Sequence, residues 1–546
     1  MQQPKDSQIL IVGAGPSGLM MACQLAIRNI PFRIIDKNEH HTTSSGALII
    51  QARSLEIFDR IASPSFTGGI ADKAIEQGIV AQKINIIFNG KKALSLNLKD
   101  LGRGLTKYPH LLMLEQSKTE QLLIDVIHDC GYRVERRTTL LHMCSDTDAI
   151  TAILQLPDGN EEIIKTPYLI AADGGQSFVR TQLGIPFVGK THQITLFLLD
   201  GKADLNLPPD EICFSFADNI SSGMFPLTAG RWRIDSTIPK ALEAKDAITF
   251  HDIEEKFAGR IRMNIKLYEP QWFSVFHSHQ RYARSFQQGR CFLLGDAAHV
   301  LSPVGAQGMN TGLQDAYNLA WKLSLVITGK AKVSMLNTYQ DERLPIAKKL
   351  VRSTAIAFQL AASENFFARK FRLQIAPFLL KILFPMIQTQ KKTGQFIFHA
   401  IAETGIHYRK SSLSKEATVG IFPRGAPKPG DRLPYIPFEI NGVKLNIQDK
   451  IKGNVFHLLL FTNQDIKFEI ERMAEKYNNL IYIELIPLNS ETANLYNKLG
   501  IQKSGCYLIR PDMHIACRSN TPELEQYEKL VDRYLSRFIQ TKNTLT

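Results

Sequence analysis

The 546-residue sequence has little cysteine: seven residues, scattered, with no C-x-x-C pair and no metal-ligand spacing. A disulfide scaffold and a structural zinc site are excluded, no metal ligand is assigned, and a reduced, cytoplasmic protein is expected. No run of about 18 or more uncharged apolar residues occurs, so a membrane-spanning helix is not expected. There is also no block of about five or more like charges and no recognised nucleic-acid module. The formal charge of +13 therefore reads as that of a basic soluble enzyme, not a nucleic-acid binder. The apolar run near the N-terminus (MQQPKDSQILIVGAG) ends in a glycine turn and not in a cleavage site, so it reads as a strand and not a signal peptide. With 44% hydrophobic and 21% charged residues the chain is globular. At about 150 residues per domain, its length implies roughly three to four units.

What the sequence does have is a nucleotide motif. Gln8 to Val12 is a short apolar run, followed at once by Gly13-Ala14-Gly15-Pro16-Ser17-Gly18. A helical pattern and a second strand ending at Asp36 complete a βαβ unit. In such a unit Gly13 permits the tight turn, Gly15 lets backbone approach a pyrophosphate, and Gly18 lets helix pack on strand. The helix N-terminus offers free N–H groups to phosphate. Asp36 stands where a carboxylate accepts hydrogen bonds from a ribose, which suits FAD or NAD; the motif alone does not choose between them.

Two later segments also end strands in small residues and one acid. Tyr168 to Asp173 runs into Gly174-Gly175, with Ser177 and Arg180 beyond. Cys291 to Leu294 runs into Gly295-Asp296-Ala297-Ala298-His299, then Ser302-Pro303 and Gly305 to Gly312. GAGPSG, ADGGQSFVR and GDAAHVLSPVGAQGMNTGLQDAYNLAWKL, in that order, resemble the class A flavoprotein monooxygenases, the family of para-hydroxybenzoate hydroxylase and phenol hydroxylase. ARSLEIF, YPHLLMLEQSKTEQLL and LNTYQDERLPIA add to the resemblance.

The resemblance implies FAD as cofactor and NADPH or NADH as transient reductant. It implies that Gly13, Gly15, Gly18 and Asp36 hold the ADP half, that Asp296, after Gly295, bonds the ribityl chain, and that Arg53 and Gln116 reach the flavin side chain and phosphates. Asp173 and Gly174 would touch FAD and the nicotinamide. The loop from Pro303 to Gly308 would lie beside the isoalloxazine, with the helix N-terminus at Met309 and Asn310 facing its N1–C2=O edge. Pro303 and Gly308 are thus the catalytic-loop candidates, and no side-chain base is assigned. Gly46 stands where many relatives carry a basic residue, and Ala306 where a glycine is usual. His299 reads as an oriented structural histidine and Asp315 as a helix-surface or capping-network acid.

The fold class expected is α/β, α+β in part. A Rossmann-like FAD-binding domain occupies residues 1–185 and 281–365, with inserted substrate-side elements near 76–110. An antiparallel-sheet substrate domain occupies 186–280, where Phe225, Pro226, Arg231 and Trp232 are candidates for the pocket or its approach, with aromatics of an ordinary core at least as good a reading. A helical connector spans 366–424. It is apolar and basic; helices buried between domains are the expectation, and a membrane-surface helix the alternative. A Gly/Pro-rich linker opens a domain at 425–546 that resembles the thioredoxin-like unit of phenol hydroxylases, without a redox cysteine pair, and in relatives it contributes dimer contacts. The substrate expected is a small aromatic, in the family a phenol hydroxylated with O2 through a flavin C4a-hydroperoxide. The alternatives are another flavin oxidoreductase (halogenase or reductase) and a non-catalytic flavin-containing ligand-binding protein.

Overall fold

A computed structural model describes residues 7–42, 46–217, 220–238, 242, 248–302, 305–363, 365–414, 422–440, 442–451, 453–477, 480–520 and 524–538. The chain opens with β1 (Ile9–Val12), α1 (Pro16–Ala26) and β2 (Phe32–Asp36), then α2 (Ala52–Phe58), β3 (Lys83–Phe88), β4 (Lys91–Asn97), α3 (Gln116–Asp129), β5 (Val134–Arg136) and β6 (Tyr168–Ala171). A run of strands follows: β7 (Phe187–Leu205), β8 (Glu211–Ala217), β9 (Ile220–Leu227) and β10 (Arg231–Thr237). Then come α4 (Phe250–Ile261), β11 (Ile265–Ala283), β12 (Gln287–Gln288), β13 (Cys291–Leu293) and β14 (His299–Val300). Helices α5 (Gly308–Ile327), α6 (Asn337–Ala362), α7 (Phe366–Lys370), α8 (Ala376–Thr389) and α9 (Lys391–Ile401) lead to the C-terminal unit.

The first sheet has the order β12-β13-β6-β1-β2-β5, parallel except at the β12 edge. Its central strands are apolar along their whole length because both faces are covered, by α1 and α5 among others. The second sheet, β14-β11-β7-β10-β9-β8-β3-β4, is antiparallel except where β8 runs parallel to β3. Thus residues 83–97, far earlier in the chain, complete its edge. Its apolar face packs on α4 through Phe197, Trp232, Ile234 and Phe257.

The C-terminal unit runs β15 (Phe456–Phe461), α10 (Lys467–Tyr477), β16 (Ile481–Ile486), α11 (Ala493–Leu499), β17 (Gly505–Ile509), β18 (Ile515–Ser519) and α12 (Leu524–Leu535). The sheet order is β16-β15-β17-β18, with β15 parallel to β16 and antiparallel to β17. This unit shares an apolar core with α5 through Trp321 and Leu325. It is also pinned by a buried charge network. Glu342 on α6 accepts from Arg510 Nη1 and Nη2 at 2.6 and 2.9 Å and from Lys322 Nζ at 2.8 Å. All three side chains are fully buried.

One expectation fails here. The apolar helices after α6 are not buried between domains: Phe366, Phe367, Phe378, Leu379, Ile382 and Phe396 face outward. Their sequence records that they are apolar, not what covers them.

Candidate active site

A cavity of about 510 Å³ opens where the two sheets meet. On one side lie Gly15, Pro16 and Ser17, Ala172 and Gly174, and Leu294 and Asp296; on the other, Leu198, Phe225, Arg233 and Asp235. Leu48, Gln116, Ala306, Gly308 and Met309 lie between.

The strand ends are brought together by specific contacts. Gly13 has φ +100°, and a Cβ there would stand 2.3 Å from the Ala172 carbonyl oxygen, so only glycine lets the β1 turn sit on the end of β6. Before Gly15 the space is open. Asp36 accepts from the Ala14 and Asn38 backbone N–H groups at 2.7 and 2.8 Å, closing the glycine turn onto the end of β2. Arg180 donates to the carbonyls of Ala297 at 2.9 Å and Gly175 at 2.8 Å, tying the second acidic turn to the third. Asp315 on α5 accepts from Gly295 N at 3.2 Å, His299 Nε2 at 2.7 Å and Arg343 Nε at 2.6 Å. Burial alone would raise its pKa, but Arg343 and His299 outweigh that and hold it below the ordinary carboxylate value. His299 is fully buried in this network and orients the turn that presents Asp296.

The residues present fit a flavin dinucleotide. Asp296 opens on the cavity and accepts no hydrogen bond from the protein among the described residues. Desolvation raises its pKa, with His299 opposing. It is a carboxylate set to accept hydroxyl donors. Asp173 likewise keeps one buried oxygen without a partner while the other accepts from Val179 N at 3.1 Å. Helices α1 and α5 both start at the cavity, and neither has a side-chain cap or an acid in its first turn. Their first N–H groups and positive dipole ends remain for phosphate and for a ring edge that carries negative charge.

The other anticipated residues divide. Gln116 lines the cavity, with its amide oxygen accepting from Ala47 N at 2.8 Å and its nitrogen donating to Glu120 at 2.8 Å. A Cβ on Gly46 would meet that amide oxygen at 2.3 Å, so Gln116 occupies the space a side chain at 46 would need. Gly18 packs against Gly13, and its Cβ would stand 2.0 Å from the Gly13 oxygen. The Asn310 side chain is buried and committed to protein: Oδ1 accepts from Gln51 N and Ser54 Oγ, and Nδ2 donates to the carbonyls of Ile49 and Ala306. It fixes the start of α5 rather than facing the cavity. Arg53 is not at the cavity. It donates to Glu56 at 3.1 Å and to the Asp512 carbonyl at 3.0 Å, because a turn of the C-terminal unit lies beside it. Pro303 lies outside the described residues.

Two groups escaped the sequence reading. Arg233 is held by Asp200 in a bidentate pair at 2.7 and 2.8 Å and donates to the Gly46 carbonyl at 2.6 Å. Asp235, two residues on along β10 and so on the same face, accepts from Gly223 N at 2.7 Å through Oδ1. Burial raises its pKa, with the Gly223 N–H and Arg233 opposing. The signal was present as Arg231, Arg233 and Asp235 alternating on a strand whose other face is apolar.

Glu403, after α9, bonds Thr311 and Gln314 on the first turns of α5. Burial pushes its carboxyl up to about 7. Between its ordinary value, about 4.5, and 7 the native state binds the proton that the unfolded chain releases, so stability falls as pH rises across that window. Glu403→Gln is expected to flatten that slope in unfolding measured from acid to neutral pH. An unchanged slope would refute the assignment. Asp296→Ala is expected to weaken FAD affinity by roughly tenfold to a hundredfold, the scale of hydrogen bonds to a charged acceptor, as read by equilibrium titration of the apoprotein.

Fold and site together define a dinucleotide-binding flavoprotein with a substrate-facing sheet. The profile of the FAD binding domain family matches residues 6–354. The chain is 31% identical over 526 residues to 6-methylpretetramide 4-monooxygenase of Streptomyces rimosus, covering 94% of this chain and 90% of that protein. It is 32% identical to pentachlorophenol 4-monooxygenase of Sphingobium chlorophenolicum, covering 64% of each. In fold it is similar to the flavin-dependent monooxygenase PieE in complex with FAD and substrate (TM-score 0.79, 20% identity, 98% of this chain and 100% of that one). It is also similar to aklavinone-11 hydroxylase with FAD and aklavinone (TM-score 0.77, 22% identity, 98% and 100%). The chain belongs to the FAD binding domain family and is an FAD-dependent aromatic monooxygenase that uses NAD(P)H.

Proposed function

We infer that this chain hydroxylates a polycyclic phenol with O2 as co-substrate, and that Asp235 accepts the phenolic proton. The observation that carries this reading is the Asp235 carboxylate, lining an otherwise largely apolar wall between Leu198, Phe225 and Arg233 with its Oδ2 clear of the Gly223 hydrogen bond. A polycyclic substrate is favoured by the full-length likeness to 6-methylpretetramide 4-monooxygenase.

FAD, when bound and reduced by NAD(P)H, supplies the activation of O2 and the transfer of one oxygen atom to the ring. The protein's part is placement. Gly13, Gly15, Gly18 and Asp36 hold the ADP half, Asp296 the ribityl hydroxyls, and Asp173 and Gly174 the neighbouring chain. Residues 305–308 and the first N–H groups of α5, at Met309 and Asn310, would lie beside the ring; the Pro303 candidate falls outside the described residues. Phe225 and Leu198 exclude water from the substrate side. Asp235 takes the hydroxyl proton at Oδ2, which makes the ring carbon electron-rich, and Arg233, fixed by Asp200, stabilises the phenolate oxygen.

The same reading divides the chain into an FAD-binding domain (1–185 and 281–365), a substrate domain (186–280), a connector (366–424) and a thioredoxin-like unit (425–546). The order βαβαββα supports that last assignment. After β15 the chain reads Thr462-Asn463-Gln464-Asp465, with no cysteine pair. Homodimer contacts through this unit belong to the same reading. A cytoplasmic setting belongs to the same reading. The test is substrate-stimulated NAD(P)H oxidation by the FAD-loaded protein across monocyclic and fused-ring phenols, with products read by mass. Fused-ring phenols should stimulate more strongly and gain one oxygen; stimulation by monocyclic phenols alone would refute the substrate class.

A further inference from the structure

The residues from 344 to 402 combine two features. Their sequence carries nine lysines and arginines against one acid, Glu364. Their helices also leave large apolar side chains outside. Phe371–Ile375 continues α7 into α8 as a π-turn. Along that rod Ile375, Phe378, Leu379 and Ile382 recur at i, i+3, i+4 and i+7, the spacing of one helix face. That face is turned to solvent: Phe378 is 63% and Ile382 52% exposed. Phe366 and Phe367 pack edge to face at 5.7 Å at the start of the rod, and Phe367 is 78% exposed.

The rod is firmly seated on its inner side. Arg372 is buried and donates to the carbonyls of Leu360, Ala361 and Ser363 at the end of α6, and Ser221 of β9 donates to Ala361. The outward apolar stripe is therefore the outer face of a docked helix. Exposed Arg369 and Lys370 belong to the same rod, and exposed Lys349, Arg352 and Lys392 to the helices before and after it.

We propose that this face docks the enzyme on an anionic lipid surface, with the phenylalanines entering the headgroup–acyl boundary and the lysines and arginines bound to lipid phosphates. The charge selects this occupant. A second copy meeting the face in a twofold contact would set the same cationic surface against itself, whereas an anionic bilayer satisfies apolar and basic groups together. No helix among the described residues is long and apolar enough to cross a membrane, so the contact is one of surface docking. The same helices back onto the cavity wall, where Ile401 and Ala306 share an apolar cluster with Phe225 and Leu48.

The test is co-sedimentation of the full-length, FAD-loaded protein with two kinds of vesicle: phosphatidylcholine alone, and phosphatidylcholine with one quarter phosphatidylglycerol. Binding to the anionic vesicles should exceed binding to the neutral ones by about tenfold at low salt and fall as salt rises. Phe367→Ser with Phe378→Ser should lower it by about tenfold while flavin absorbance and phenol-stimulated NAD(P)H oxidation in vesicle-free buffer stay unchanged. Lys370→Glu should act in the same direction. Equal sedimentation with and without vesicles would overturn the proposal, as would light scattering showing a dimer that the same double substitution dissociates.

Discussion

Glu342→Ala is expected to lower the stability of the native protein by about 3–5 kcal/mol, the scale for removing one partner of a buried ion pair. The carboxylate stands between Arg510 and Lys322, and it also accepts from Asn318 and Ser411 at 2.7 and 2.6 Å. Burial by itself would protonate it, but the two cations hold its pKa well below the ordinary value. Without it, Arg510 keeps Asp512 and the faces of Trp321 and Tyr408, and Lys322, whose pKa burial already lowers to about 8, loses the carboxylate it is bonded to. The loss should show as a lower urea midpoint and as faster proteolysis between residues 402 and 456, because the network clamps α5 and α6 to the C-terminal unit. Glu342→Gln, which keeps an acceptor, should cost less. Equal midpoints for wild type and Glu342→Ala would show that the network does not hold the units together.

Asp235→Asn is expected to lower kcat/KM for the hydroxylated phenol by about a hundredfold to ten-thousandfold, the usual contribution of a positioned general base. Asparagine can still accept from Gly223 N, so the strand and the cavity wall should persist. In the wild type the rate should rise with pH through a limb displaced above that of an ordinary aspartate, since burial favours the protonated form and the base works deprotonated. In the variant that limb should vanish, with KM moving less than kcat. A variant that keeps the limb would place the base elsewhere.

How much of this was legible in the sequence follows from the reach of each interaction. The β1 turn is a local matter: glycine spacing, a following helix pattern and Asp36 specify it within 30 or so residues. Asp296 was readable because its segment is a long, ordered string of small residues. Arg53 was misplaced because its partner, the Asp512 carbonyl, lies in a different unit of the chain, and no local pattern announces that contact. Met513 illustrates the converse. Its turn calls for a glycine, yet the methionine adopts φ +66° and is buried. Core burial of the side chain and the Leu433 N–H bonded to the Met513 carbonyl at 2.8 Å offset the left-handed strain, which is about 1–2 kcal/mol. Ala306, half-buried beside the cavity, also adopts a left-handed φ, +49°. Asp235 went unnoticed because a single acid on an alternating strand looks like a solvated face until the first sheet is set opposite it.

The proposed function requires this flavoprotein to insert one atom of O2 into a phenolic ring. Turnover of the FAD-loaded protein with NAD(P)H, a fused-ring phenol and isotopically heavy dioxygen tests it most directly. The product should carry one heavy oxygen atom, and none when the label is supplied in water instead. Phenol-stimulated NAD(P)H oxidation that leaves the phenol unlabelled, or a product labelled from water, would contradict it.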